Sequence, residues 1–157
     1  MSTNNIERFL KSRKIPFQAF EYVYTMEDLT VETIAQENGW PTDEIFKTLM
    51  LQNQEGQLIV VVISGIHQLH RKKVAKQTHS KKVHFIPVSQ LQKLTGFVRG
   101  GCSPILPNRK ARVLIDSYIE SKQSILVNAG QRGKLLQLRP QDLIDICEAD
   151  VLDLKID

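Results

Sequence analysis

Ile45-Phe46-Lys47-Thr48-Leu49-Met50-Leu51, then Asn53-Gln54-Glu55-Gly56, then Leu58-Ile59-Val60-Val61-Val62-Ile63: this stretch decides the architecture. Two apolar runs joined by a polar connection of hairpin length predict a β-hairpin. The first run carries one cation, Lys47. Either its stem packs and its ammonium snorkels to water, or the charge serves a purpose.

Upstream, Asn4 or Asn5 is placed to cap an amphipathic helix running to about Lys14, with Ile6, Phe9 and Leu10 on one face. Pro16 breaks it, and Gln18-Ala19-Phe20-Glu21-Tyr22-Val23 alternates as a strand does. A second helix follows Thr30 and stops at Asn38-Gly39, and Pro41-Thr42-Asp43-Glu44 begins a short turn into the hairpin. Downstream, residues 69–76 predict a basic helix and residues 82–86 a strand. Ser89-Gln90-Leu91-Gln92 reads as a capping-box start to a helix ended by Gly96. Strands are expected over residues 111–116, 124–129 and 135–138, and a last helix opens at Pro140 and runs to about Glu148. With about seven short strands and about five helices, in no regular βαβ series and with no repeat or linker, the chain is expected to be an α+β protein of one domain, residues 1–157.

A length of 157 residues is enough to bury about two-thirds of the unfolded surface. Residues 58–63, the longest apolar run, fall far short of a membrane span. The polar start Met1-Ser2-Thr3-Asn4-Asn5 contains no signal core, which predicts a cytoplasmic protein. Two cysteines, Cys102 and Cys147, give neither a disulfide framework nor a metal quartet. His67 and His70 are three apart, but His79 and His84 are too distant to presume zinc, so no metal and no cofactor are expected. Walker, dinucleotide and nucleophile-elbow motifs are absent.

Charge is the sharper signal. Residues 56–115 contain eleven of the 21 basic side chains and none of the 17 acidic ones. Such a segregated cationic window points to a polyanion, nucleic acid first. Arg71, Lys72, Lys73, Lys76 and Arg99 are its candidate contacts.

Inside that window lies Thr95-Gly96-Phe97-Val98-Arg99-Gly100-Gly101-Cys102-Ser103-Pro104-Ile105-Leu106-Pro107. Adjacent glycines let main chain approach a ligand, and prolines stiffen the exit. Several N–H groups can then converge on a phosphate or a developing oxyanion, although a plain tight loop carries the same residues. Cys102 is a candidate nucleophile, because a cationic loop lowers a thiol pKa, but no histidine partner is assignable. Cys147 belongs with the core of the last helix.

Four segments in order, Phe46-Lys47-Thr48-Leu49, Lys72-Lys73-Val74-Ala75-Lys76, residues 95–104, and Asn128-Ala129-Gly130-Gln131-Arg132-Gly133, resemble the YbaK-type aminoacyl-tRNA deacylases. That family is related to the editing domain inserted in bacterial prolyl-tRNA synthetases. The resemblance implies a mixed, partly barrel-like sheet with flanking helices and a free-standing enzyme that removes a wrong amino acid from tRNA. Cysteine on the proline tRNA is the best-known substrate among the closest relatives. It implies catalytic roles for Lys47, Gly100, Gly101 and Ser103, and substrate-binding roles for Tyr22, Thr48, Asn128 and Gly130. The implied partners are the acceptor end of aminoacyl-tRNA and, through the relatives, prolyl-tRNA synthetase, with no membrane and no metal. Asn128 stands where close relatives often carry Ser, and Leu106 where many carry Gly, departures that bear on pocket chemistry and loop flexibility. An aminoacyl ester is already activated, so positioning and oxyanion stabilisation suffice for much of the rate, with either the substrate's own thiol or water attacking. Two rivals remain: a non-catalytic tRNA- or synthetase-binding module of the same fold, and a hydrolase of small free esters or thioesters.

Overall fold

The computed structural model describes residues 3–157; Met1 and Ser2, the first two residues of the polar start, lie outside the described residues. The hairpin forms as expected: β2 (Ile45–Asn53) pairs antiparallel with β3 (Leu58–Ser64). Asn53 closes the turn, its side-chain oxygen accepting from the amides of Glu55 and Gln57, both at 3.0 Å. Around it run α1 (Asn5–Ser12), β1 (Gln18–Glu21), α2 (Val31–Asn38), α3 (Arg71–Gln77), β4 (Val83–Phe85), α4 (Val88–Thr95), β5 (Ala111–Asp116), β6 (Ile125–Asn128), β7 (Lys134–Leu138), α5 (Pro140–Ile146) and β8 (Asp150–Leu152). The fold is α+β: five α-helices and one mixed eight-stranded sheet among the described residues.

The sheet runs β1-β7-β6-β2-β3-β5-β8, with β4 branching onto β2. The β2–β6, β3–β5 and β5–β8 pairs are parallel and the others antiparallel. Side chains alternate between faces along each strand. Phe46, Met50, Val60, Val62, Val113, Ile115, Val127 and Leu136 enter the main core, closed by Ile6 and Leu10 of α1, Leu91 of α4 and Leu143 of α5. On the opposite face Leu51, Ile59, Val61, Ile63 and Leu114 pack against Val74 of α3. Tyr22, Ile45, Leu126 and Leu135 pack against Ile34 and Ala35 of α2 in a third cluster. Each large apolar side chain so buried contributes about 1.5–3 kcal/mol, which is why the continuous run in β3, buried along its whole length, anchors the sheet.

Local signals explain most helix ends. Asn4 caps α1 and forms a reciprocal box with Glu7. Thr30 caps α2, and Gly39 ends it at φ 76°. The expected capping box at Ser89 does not form. Pro87, at φ −58°, leads into α4 one residue before Ser89 and no side chain caps it, so Ser89 lies inside the helix. Strand β8 was not expected from the sequence, since three residues are too few to show alternation. Leu106 takes φ 55°, a left-handed conformation that glycine adopts without penalty and leucine does not. No helix among the described residues is long and apolar enough to cross a membrane.

Candidate active site

The site begins as a split in the sheet. The Gly65 amide donates to Ile45 O at 2.8 Å, and the Ile86 amide donates to Met50 O at 3.0 Å. Odd residues of β2 therefore turn their peptide groups toward β3, and even residues turn theirs to the other edge. That edge is occupied by β6 at Ile45 and Phe46, and by β4 from Leu51 to Asn53. Between the two neighbours, residues 47–49 have no strand partner on that side among the described residues, and the peptide groups of Thr48 face the gap. The Thr48 hydroxyl oxygen is buried and has no hydrogen-bond partner among the described residues. Buried hydroxyls are nearly always satisfied, so an orphan at a gap marks a place for a polar ligand atom.

A cavity of about 410 Å³ fills the gap. Lys47, Thr48, Tyr22, Arg99, Gly100 and Asn128 all line it. Residues separated by more than a hundred positions in the chain thus share one hollow. Gly101, Ser103 and Gly130 do not line it; they shape its wall.

Lys47 is half-buried. Burial pulls its ammonium pKa below the ordinary lysine value, and the negative charge of Glu32, on the first turn of α2, partly offsets the shift. Glu32 lines the same cavity and is the only acidic residue among the described residues that does. No pattern in the sequence marks it: its place follows from α2 packing over β2, which is a tertiary fact.

The glycine loop is held from the β6–β7 turn. Asn128 Nδ2 donates to Gly100 O at 2.9 Å and to the Tyr22 hydroxyl at 3.4 Å. Asn128 Oδ1 accepts from the amides of Gly130 and Gln131 at 2.7 and 3.0 Å. Arg132 Nε adds a bond to Arg99 O at 2.7 Å. One amide side chain therefore ties together the two glycine turns and the buried tyrosine, whose pKa is raised chiefly by burial and which stays neutral.

Gly100 takes φ 81°. The Gly101 amide is spent on Val98 O at 2.9 Å, so it closes a turn. A Cβ on Gly101 would lie 3.1 Å from the Arg132 nitrogen, which makes this glycine a close-packing requirement between the loops. Ser103 is fully buried, and its hydroxyl accepts from the Ile105 amide at 3.0 Å. A Cβ on Gly130, at φ 90°, would come within 2.6 Å of Ile6. By contrast, the amides of Gly100 and Cys102 donate to no other described residue. Cys102 also lines the cavity, but burial pushes its thiol up to about 11, and Sγ donates to Val98 O at 3.5 Å. The expected depression by neighbouring cations does not occur, desolvation alone sets the shift, and Cys102 is a thiol, not a thiolate. The Cys147 thiol is likewise pushed up, to about 12, as a core residue would be.

The basic residues do not form one face. Arg71 and Lys72 line a cleft beside the cavity together with Lys81 and Lys82. Lys73 is turned away: its ammonium bonds Asp153 at 3.0 Å and Lys155 O at 2.7 Å, with Asp157 at 3.5 Å. Lys76 lies on that same side, near Asp153. Arg99 stands at the cavity, with its guanidinium 3.4 Å from Met26 O. Among the described residues, no three His, Cys, Asp or Glu side chains gather to hold a metal.

Residues 27–146 match the Aminoacyl-tRNA editing domain family. The chain belongs to that family. Among its relatives, EbsC of Enterococcus faecalis, provisionally named a Cys-tRNA(Pro)/Cys-tRNA(Cys) deacylase, is 29% identical over 150 residues, 96% of this chain and 92% of EbsC. The proline–tRNA ligase of Trichlorobacter lovleyi is 24% identical over 114 residues, 73% of this chain but only 20% of the ligase. Among solved structures, a provisionally assigned trans-editing enzyme for prolyl-tRNA synthetase superposes with a TM-score of 0.81 at 21% identity, covering 99% of this chain and 100% of the other. The cavity of this editing domain is thus built from the family-matched span and closed by Tyr22, which lies outside it.

Proposed function

We propose that this editing domain hydrolyses, or by thiol attack cleaves, the ester of a mischarged aminoacyl-tRNA, and that Cys-tRNA(Pro) is its substrate. The observation carrying this reading is the meeting of a half-buried Lys47, an orphan Thr48 hydroxyl and the Gly100 loop in one cavity. The name of EbsC supports the choice of amino acid and tRNA. In this reading Lys47 holds the terminal phosphate or the ester oxygen. Thr48 and Asn128 orient the 3′ adenosine and the aminoacyl group, and Tyr22 closes the apolar end. The amides of Gly100 and Cys102 are available for the developing oxyanion, and loss of one such donor costs about 10²–10³ in rate. Gly101, Ser103 and Gly130 act as positioning residues that fix the loop. Neither cysteine supplies the nucleophile, since both thiols are held protonated; the attacking group is the substrate's thiol or water.

The whole chain works in this reading as one cytoplasmic trans-editing domain, with prolyl-tRNA synthetase as the partner that supplies tRNA identity. Release of the amino acid from a panel of aminoacyl-tRNAs is the test. Turnover of Cys-tRNA(Pro) above all others is expected; turnover of Ala-tRNA(Pro) instead overturns the substrate, and release from none overturns the enzyme in favour of a binding module.

A further inference from the structure

Beside the cavity, across the start of α3 and the segment leading into β4, lies a second cleft of about 670 Å³. Arg71, Lys72, Lys81 and Lys82 line it, with His70 and His84 adding imidazole donors, and no acidic side chain among the described residues lines it. None of the four cations forms an ion pair among the described residues, whereas Lys73, their neighbour on α3, is neutralised by Asp153 and Asp157. The charge in this cleft is therefore uncompensated. The 81–82 segment is also fixed in place, since Gln54 Oε1 accepts from the Lys81 and Lys82 amides at 3.1 and 3.4 Å.

Phe85 follows directly on His84, which lines the cleft. It lines the cavity, remains 47% exposed, and carries the Arg71 guanidinium 5.8 Å from its ring centroid. An exposed aromatic ring flanked by an arginine and followed by a row of cations is the arrangement that takes unpaired bases by stacking and their phosphates by charge. A duplex offers no free base face to such a ring.

We infer that this cleft binds the phosphates of the single-stranded 3′ end of the tRNA, with Phe85 stacking a base where the strand passes into the cavity. The inference rests on the proposed function for the direction of the strand, because the esterified ribose must end beside Lys47. Lys81, Lys82, His84 and Phe85 then become recognition residues, and Lys73 and Lys76 are excluded from the track.

The test is fluorescence anisotropy of the full chain with a labelled four-nucleotide RNA ending in CCA, titrated at several salt concentrations. Lys81→Ala/Lys82→Ala is expected to weaken binding and to reduce the slope of log affinity against log salt by about 1.4, since each single-strand phosphate contact contributes about 0.7. Lys81→Arg/Lys82→Arg is expected to restore the slope. Phe85→Leu is expected to weaken binding by about 5- to 150-fold with the slope unchanged, as loss of one stacked base does, while Phe85→Trp retains affinity. Both sites are exposed, and circular dichroism checks that each variant is folded. Wild-type slope and affinity in the double alanine variant overturn the inference, as does equal competition by polyglutamate, which would assign the cleft to an acidic protein surface. Because the readout is binding, an absence of deacylation leaves this result standing and counts only against the proposed enzyme.

Discussion

Asn128 concentrates several jobs in one side chain. It spans from Gly100 O to the Tyr22 hydroxyl while its oxygen caps the β6–β7 turn. A serine there is too short to do both. Asn128→Ser is expected to lower kcat about 10- to 100-fold through misplacement of the Gly100 loop, and to cost about 1–2 kcal/mol of stability. Steady-state kinetics should show the loss in kcat with KM nearly unchanged; a loss confined to KM would mean that Asn128 only binds substrate. Lys47 carries a second expectation at this scale. If its ammonium is the working form, activity falls as pH rises through its pKa, and that alkaline limb lies below the ordinary lysine value because burial disfavours the charge. Glu32 pulls the other way, so Glu32→Gln is expected to shift the limb to lower pH. A pH–rate profile, corrected for spontaneous ester hydrolysis, checks this; an unmoved limb would detach Glu32 from Lys47.

Among the elements, α1 is the one whose attachment the sequence hides. Its cap was legible as Asn4 or Asn5, but the box with Glu7 and the helix's seat were not. Glu7 and Lys134 of β7 form a buried ion pair, with 7% and 2% of their side chains exposed. Nothing local in either segment announces a pairing across 127 positions. Glu7→Gln is expected to destabilise the protein by more than about 1 kcal/mol, because it removes the charge of one partner from a buried ion pair. Chemical denaturation measures it; a change below about 1 kcal/mol, the worth of an exposed pair, would show that the pair is screened. Elements that organise themselves were readable in advance: the β2–β3 hairpin through its apolar runs and turn, and α2 through Thr30 and Gly39. Strand β8 and the start of α4 were not, since one depends on pairing with β5 and the other on a proline turn. The same division holds for the site. Lys47 and the glycine loop stand out as a cation in an apolar strand and as paired glycines. The separate duties of Gly100, whose amide is unspent, and Gly101, whose amide closes a turn, depend on the folded loop. So do the places of Glu32 and Phe85 at the cavity.

For the molecule as a whole, the sheet's branch at β2 is the organising fact. Two strands meet one edge at different heights, and the edge left between them is both the floor of a cavity and the reason for it. Helices α1, α4 and α5 cover one face, α2 and α3 the other, and the start of α2, the glycine loop and Phe85 line the cavity with β2. Of the cationic window of the sequence, Arg99 lines the cavity and Arg71, Lys72, Lys81 and Lys82 line the second cleft, whereas Lys73 and Arg112 pair with aspartates and Arg109 and Lys110 lie in another groove. The central claim is that the cavity cleaves an aminoacyl ester with Lys47 in it. Single-turnover deacylation of Cys-tRNA(Pro) by wild type and by Lys47→Ala at saturating enzyme tests it most directly. The account predicts rapid release by wild type and a rate at least about a hundredfold lower for the variant, the scale of a lost electrostatic contact to the transition state. Equal rates for the two proteins would contradict it.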